Sequence, residues 1–437
     1  MNIISYKEIC KLAWPVTISQ GIMLINGMVD LAFISPFGTD AIAAVSVANV
    51  ICVTLINFFE GFRLGTTVLV AKASTENSRK IAGIFNTALF LALTSGLFIT
   101  LTAALISSTV FSSMGTTAMA YYGTDYFTYW LCVTGVSFTF YTLAGLYRGL
   151  GDTLTPLYAG ILMCLLNAVL DYLFIYGHGG FPALGVKGSA LATLTANIIG
   201  TLVLFSLLLH RKKTAHYINF YEPILPYIKE YLKLALQIGT NTGLVSLALV
   251  FFMGIIEALG ATALAVHQIT FQIFLFAYLP GMGFLITASI LVPRLIGNKE
   301  YHLIQKTVTK VCKISFLTIF VTSSILYLAA PYISTFFSPA DLFVAKESAR
   351  TIRLVCLSQL SCSIYMVLRG ALTGQKDTHF IVYEGLVTAY VIFLPLAYFM
   401  VIKSGYGVFG GYIAFLIWCI SDSLALWVRF HYVNCKD

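Results

Sequence analysis

Charge is what this sequence has least of. Only 10% of its 437 residues are Asp, Glu, Lys or Arg, where soluble chains carry about a quarter. With 59% hydrophobic residues and a mean hydropathy of +0.88, that scarcity excludes an ordinary soluble fold and leaves an integral membrane protein. The short alternating strands of a transmembrane β-barrel are missing as well. Nine cysteines show no CxxC or CxxxC spacing, so neither a metal cluster nor a disulfide framework is expected, and they read as small apolar fillers. His267 is the one histidine clearly inside an apolar run and has no visible partner, which argues against a membrane-embedded enzyme. The glycine-rich stretch Gly145-Leu-Tyr-Arg-Gly-Leu-Gly-Asp-Thr-Leu-Thr-Pro156 lacks the Walker spacing and lysine of a phosphate loop, and reads as a turn with a helix start at Asp152 or Thr153. No small-residue cleavage site follows the first residues, so the first span is expected to act as its own targeting signal.

What is present is a succession of apolar runs, each long enough to cross about 30 Å at 1.5 Å per residue. They fall near 11–34, 43–71, 82–108, 119–146, 154–176, 185–209, 231–258, 264–293, 309–335, 350–371, 379–402 and 407–430. The expected fold class is all-α, with twelve transmembrane helices. Lysine and arginine collect in the loops of one side, among them Lys72, Arg79, Lys80, Arg148, Arg211, Lys212, Lys213 and Lys299. The other side has Lys187, Lys346, Arg350, Arg353 and Lys403. Positive loops stay inside, so both termini are expected in the cytoplasm of a multi-pass cell-membrane protein. The net charge of +8 then follows from topology and anionic lipid, and no nucleic-acid partner is implied.

Few polar groups interrupt the spans. Asn167 and Asp171 lie four apart and so on one helix face. A carboxylate at that depth costs about 2.5–3.5 kcal/mol on insertion scales, and normally marks an ion, proton or substrate path. Asp30 in span one and Asp171 in span five each lie about four or five residues from the outer end, hence level, while Thr193 enters from outside about 12 Å deep. Tyr126 on span four is comparably shallow. Four polar groups thus converge in the outer half of the first lobe. Glu60 and Arg63, three apart, read as an ion pair. Glu257, Glu384 and Asp422 sit toward span ends, where snorkelling or capping accounts for them. Pro15 either kinks span one or simply stands at a helix start.

The second half repeats the first. At an offset of 222 positions, Gly38, Ala41, Ala43, Gly61-Phe62 and Leu69-Val70 fall on Gly260, Ala263, Ala265, Gly283-Phe284 and Leu291-Val292. Gly185-Val186, Gly188 and Ala192 likewise fall on Gly407-Val408, Gly410 and Ala414, while Gly145 and Asp152-Thr153 recur three positions later as Gly370 and Asp377-Thr378. Six spans per repeat is an even number, so the halves are expected to be parallel, as in many transporters. This gives two pseudo-symmetric six-helix lobes, 1–210 and 231–437, joined by a cytoplasmic linker at 211–230. The repeat breaks where Asp30 aligns with Phe252, Thr193 with Phe415, and Asp171 with Phe393 or Leu396. The ionisable cluster is therefore expected in the first lobe only.

Leu12-Ala-Trp-Pro-Val16, Val29-Asp30, Tyr147-Arg-Gly-Leu-Gly-Asp-Thr-Leu-Thr-Pro156, Asn167-Ala-Val-Leu-Asp171, Gly185-Val-Lys-Gly-Ser-Ala-Leu-Ala-Thr193, Ala265-Val-His-Gln-Ile269 and Pro280-Gly-Met-Gly283 together resemble the multidrug and toxic compound extrusion (MATE) family, over nearly the whole chain. The resemblance implies a secondary antiporter, not an enzyme. It would export cationic or amphipathic compounds by alternating access in exchange for protons or sodium ions, as a monomer and without a cofactor. By the same resemblance Asp30, Asn167, Asp171 and Thr193 form the first-lobe cation site, Tyr126 lines the drug cavity and Pro15 is the bend in span one. The family branch with essential acids in spans seven and ten is not matched, since this sequence offers Val245 and Cys362-Ser363 there. In that respect it resembles the DNA-damage-inducible-type branch.

Overall fold

Every backbone amide that enters lipid has to find its partner within its own segment, and a continuous helix does this for each apolar run. The computed structural model describes residues 4–112, 117–211, 217, 219–339 and 341–434. Among the described residues, twelve helices are long and apolar enough to cross a membrane. They are α1 Tyr6–Ile34, α2 Thr39–Ala73, α3 Ser78–Ser112, α4 Thr117–Gly149, α5 Leu154–Tyr176 and α6 Val186–His210, then α7 Leu225–Glu257, α8 Ala261–Gly297, α9 Ile304–Phe337, α10 Leu342–Gly374, α11 Thr378–Lys403 and α12 Gly407–Asn434. In α11 the turns widen to π geometry over Val387–Phe393 and again over Phe399–Lys403. No strand occurs among the described residues. The all-α, twelve-span fold class expected from the sequence is the one observed. Of the connection expected at 211–230, residues 212–216 and 218 lie outside the described residues, and α7 already begins at Leu225.

By contacts the chain divides into two units, Ile18–Gly239 and Met1–Thr17 with Thr240–Asp437, called here the N-terminal and C-terminal units. Relative to the lobes drawn from the sequence, the first seventeen residues join the C-terminal unit, and the start of α7 up to Gly239 joins the N-terminal one. In the N-terminal unit α4 packs against α2, α3 and α6, and α6 against α5. The C-terminal unit repeats the pattern, with α10 against α8, α9 and α12, and α11 against α12.

The backbone repeats in detail. Gly38 and Gly260 precede α2 and α8 with φ of 93° and 97°, and Gly185 and Gly407 stand at the starts of α6 and α12 with 57° and 58°. Only glycine takes such angles cheaply, so these are fixed turning points of both halves. Helix contacts repeat too. A Cβ on Gly61 would lie 2.0 Å from the Ala235 carbonyl oxygen and 2.7 Å from the Gly239 nitrogen, letting α2 and α7 approach backbone to backbone. At the same offset, a Cβ on Gly283 would lie 2.6 Å from the Ala13 carbonyl oxygen and 2.3 Å from the Thr17 hydroxyl, where α8 meets α1. Outward faces stay apolar: Leu97, Leu101 and Leu105, one per turn of α3, are 59%, 71% and 71% exposed.

Candidate functional site

Two helices present the same side-chain pair in the N-terminal unit. On α1 Asn26 lies four residues before Asp30, and on α5 Asn167 lies four before Asp171, so each amide sits one turn from its carboxylate. The pairs face each other. Asn26 Nδ2 donates to Asn167 Oδ1 at 2.5 Å and reaches Asp30 Oδ2 at 3.5 Å, while Asn167 Nδ2 donates to Asp171 Oδ2 at 3.1 Å. The two carboxyl groups come within hydrogen-bonding reach of one another. Asp171 is fully buried, and Oδ1 of both Asp30 and Asp171 is buried with no hydrogen-bond donor.

Helix α6 closes one side. Thr193 Oγ1 donates to the Ser189 carbonyl at 3.0 Å and receives a long bond of 3.5 Å from Asn167 Nδ2. Beneath it Asn197 Nδ2 donates to the Thr193 carbonyl, and Ser137 of α4 donates to Asn197 Oδ1. All four residues expected at the cation site are therefore brought together. Tyr126 is within electrostatic reach of both carboxylates. Its ring, however, is 2% exposed in a packed cluster with Ile34, Val45, Cys52 and Phe127, and its hydroxyl accepts from Trp130 Nε1 at 2.5 Å and donates to Asn49 Oδ1. Asn26 escaped the sequence reading, although its four-residue spacing to Asp30 is the same signal that singled out Asn167.

In the C-terminal unit the equivalent positions are also neighbours, but apolar ones. Phe252 and Phe393 meet at 5.0 Å between ring centroids, and Phe393 and Phe415 at 5.9 Å. All three belong to one buried core, so where the first unit has a polar site the second has a packed aromatic plug.

Comparison with known proteins identifies the family. The MatE family profile matches twice, over residues 15–173 and 238–399, once in each half. The chain belongs to the MatE family. The MATE chain is 26% identical over 94% of its length, and 89% of the relative's, to a probable multidrug resistance protein NorM of Thermotoga maritima. It is 25% identical over 96% of its length, and 91% of the relative's, to the uncharacterized transporter YisQ of Bacillus subtilis. Among solved structures it is similar to an outward-facing multidrug resistance MATE family transporter of the MOP superfamily, with a TM-score of 0.90, 21% identity, and coverage of 99% of this chain and 97% of the other. A MATE in complex with MaL6 gives a TM-score of 0.87 and 22% identity over 99% and 97% of the two chains. The family is one of transporters, so this MATE protein is a multi-pass membrane transporter and not an enzyme.

Other expected features of the MATE chain fall out differently. Pro15 is buried inside a continuous α1, two residues before the helix passes from one unit to the other between Thr17 and Ile18. Glu60 and Arg63 form the expected ion pair. Glu257 is exposed at the end of α7. Glu384 and Asp422, by contrast, neither snorkel nor cap: they are 3% and 6% exposed, and they face each other. The ionisable side chains are thus not confined to the first lobe. Helix length misled the sequence reading, because position within an apolar run says nothing about which face a residue takes. His267 does have a partner, the Tyr412 hydroxyl at 3.0 Å from Nδ1.

Proposed function

We propose that this MATE protein is a multidrug antiporter of the cell membrane, expelling cationic or amphipathic compounds and returning a proton at the Asp30–Asp171 pair in each cycle. The relatives' names carry the multidrug reading to this chain, and the absence of acids at Val245 and Cys362-Ser363 supports the DNA-damage-inducible-type branch, with coupling in the first lobe. The charge asymmetry of the loops supports cytoplasmic termini.

One observation carries the choice of ion: the buried, donor-free Oδ1 atoms of two carboxyl groups in contact. Two anions this close in a low-dielectric interior repel, and a single proton between them supplies the missing donor and removes the repulsion together. Sodium would need several oxygen ligands, as hard cations do. The Asn167 amide oxygen already accepts from Asn26, and Thr193 Oγ1 is engaged with Ser189 and Asn167. Loading the proton leaves one negative charge where there were two, and an organic cation is then held less strongly. That differential affinity is what coupling requires.

The test is efflux of a fluorescent organic cation from proteoliposomes under separately imposed proton and sodium gradients. A proton gradient alone should drive transport, and Asp30→Asn or Asp171→Asn should abolish it at normal abundance, while Glu257→Gln should not. Gradient-driven transport that survives in the double Asp→Asn protein sinks the site. Transport driven by sodium alone overturns the proton.

A further inference from the structure

The C-terminal unit buries charge for which the proposed cycle has no use. Glu384 on α11 and Asp422 on α12 lie in contact, and both Glu384 carboxyl oxygens and Asp422 Oδ1 are buried without a donor. Arg369 on α10, 9% exposed, acts on both electrostatically. Its Nη2 is turned to Thr242 Oγ1 at 3.0 Å, and its guanidinium lies 6.0 Å from the Tyr365 ring centroid. Beside Glu384, the Asn241 side chain donates to the Ile381 carbonyl at 2.8 Å and leaves its own Oδ1 buried and unpartnered. Thr388 and Trp418 tie the helices at this level, Trp418 Nε1 donating to Thr388 Oγ1 at 3.3 Å.

We infer that Glu384, Asp422 and Arg369 form a second proton-binding site, inside the unit that lacks the first. Charge counting carries the assignment. Two carboxylates and one guanidinium leave one uncompensated negative charge, which a bundle interior does not tolerate. One proton cancels it. Shared between Glu384 and Asp422, the same proton joins one Glu384 oxygen to Asp422 Oδ1, whereas a metal ion would have to share the space with the guanidinium. The other titratable groups near the pair are the phenols Tyr278 and Tyr365 and the thiols Cys362 and Cys419, none of which can carry a positive charge.

The site has no twin. Glu384 corresponds to Leu162 at the offset of 222 and to Ala159 at the slipped offset of 225, both apolar, and Asp422 corresponds at 222 to Gly200, whose Cβ would lie 2.1 Å from Met163 Cγ. Each unit therefore keeps one acidic pair, at positions its partner repeat fills with apolar packing. The proton here is bound independently of Asp30 and Asp171.

The experiment uses purified full-length protein carrying Asp30→Asn and Asp171→Asn, so that the first site is silent. The infrared carbonyl band of protonated carboxyl groups should still be present at neutral pH. It should be lost on adding either Glu384→Gln or Asp422→Asn, because an amide then donates where the proton did and Arg369 balances the remaining carboxylate. A band that is missing, or that neither substitution changes, overturns the site. A band removed when sodium replaces choline identifies a metal ion as occupant and overturns the proton. In the unsubstituted protein, where folding is not in question, a hydrophobic carbodiimide should modify Glu384 or Asp422, since it adds to the protonated acid. Peptide mass spectrometry that finds both residues unmodified counts against the assignment.

Discussion

Phe252 and Phe393 pack ring against ring, 5.0 Å between centroids, at the two positions that an offset of 222 pairs with Asp30 and Asp171. One geometry thus serves two purposes: the same helix pairing that brings two carboxyls together in the N-terminal unit brings two phenyl rings together in the other. A carboxylate pair there is costly unless it is neutralised, whereas the ring pair is stable at any pH and under any ion gradient. Phe393→Ala should cost about 3–5 kcal/mol, the usual range for emptying a buried aromatic site. Thermal unfolding in detergent measures this. The pH dependence of transport by the surviving protein should keep its shape, and a changed ion dependence would show that the plug takes part in coupling.

Asn26 is expected to matter almost as much as the acids. Asn26→Leu leaves Asn167 Oδ1 buried without its donor, a loss of about 1–3 kcal/mol, or roughly five-fold to a hundred-fold in any step that depends on the network. Efflux assays at matched abundance should show that fall. Wild-type rates in Asn26→Leu would mean that the amide only fills space.

The glycine crossings should be intolerant of any side chain. Gly61→Val and Gly283→Val each put a Cβ within 2.6 Å of a backbone carbonyl oxygen, so the helices have to separate. Both variants should lose most of their folded yield, read by size-exclusion profiles. Gly254→Ala is the control, since nothing lies within 4 Å of its Cβ, and it should be neutral or gain about 0.5–1 kcal/mol.

Pro15 stands where α1 leaves one unit for the other. Its missing backbone donor makes this the easiest place for the helix to bend. Pro15→Ala should therefore slow turnover several-fold while leaving substrate affinity and abundance unchanged. Equal rates would reduce Pro15 to a packing residue.

Orientation can be read with single cysteines in intact cells. Phe220 is 56% exposed in the connection before α7, and Gly179 lies in the turn after α5. A membrane-impermeant thiol reagent should label Gly179→Cys and spare Phe220→Cys. The opposite pattern would invert the topology and place the Asp30–Asp171 pair toward the cytoplasm.

Sequence alone determined the architecture of this protein, because the bilayer leaves the backbone so few options. An apolar run of some twenty residues must become a helix. The four-residue spacing of Asn167 and Asp171 set both side chains on one face, and the repeat showed apolar residues in the second half where the first has Asp30, Asp171 and Thr193. None of this required knowing a neighbour. Contacts across helices were a different matter. Asn26 donates to a residue far along the chain, Glu384 and Asp422 meet from separate helices, and the halves of α1 and α7 belong to different units. Helical periodicity says which residues share a face but not which face looks inward. Only packing decided that, by burying Glu384 and Asp422 and leaving Glu257 outside.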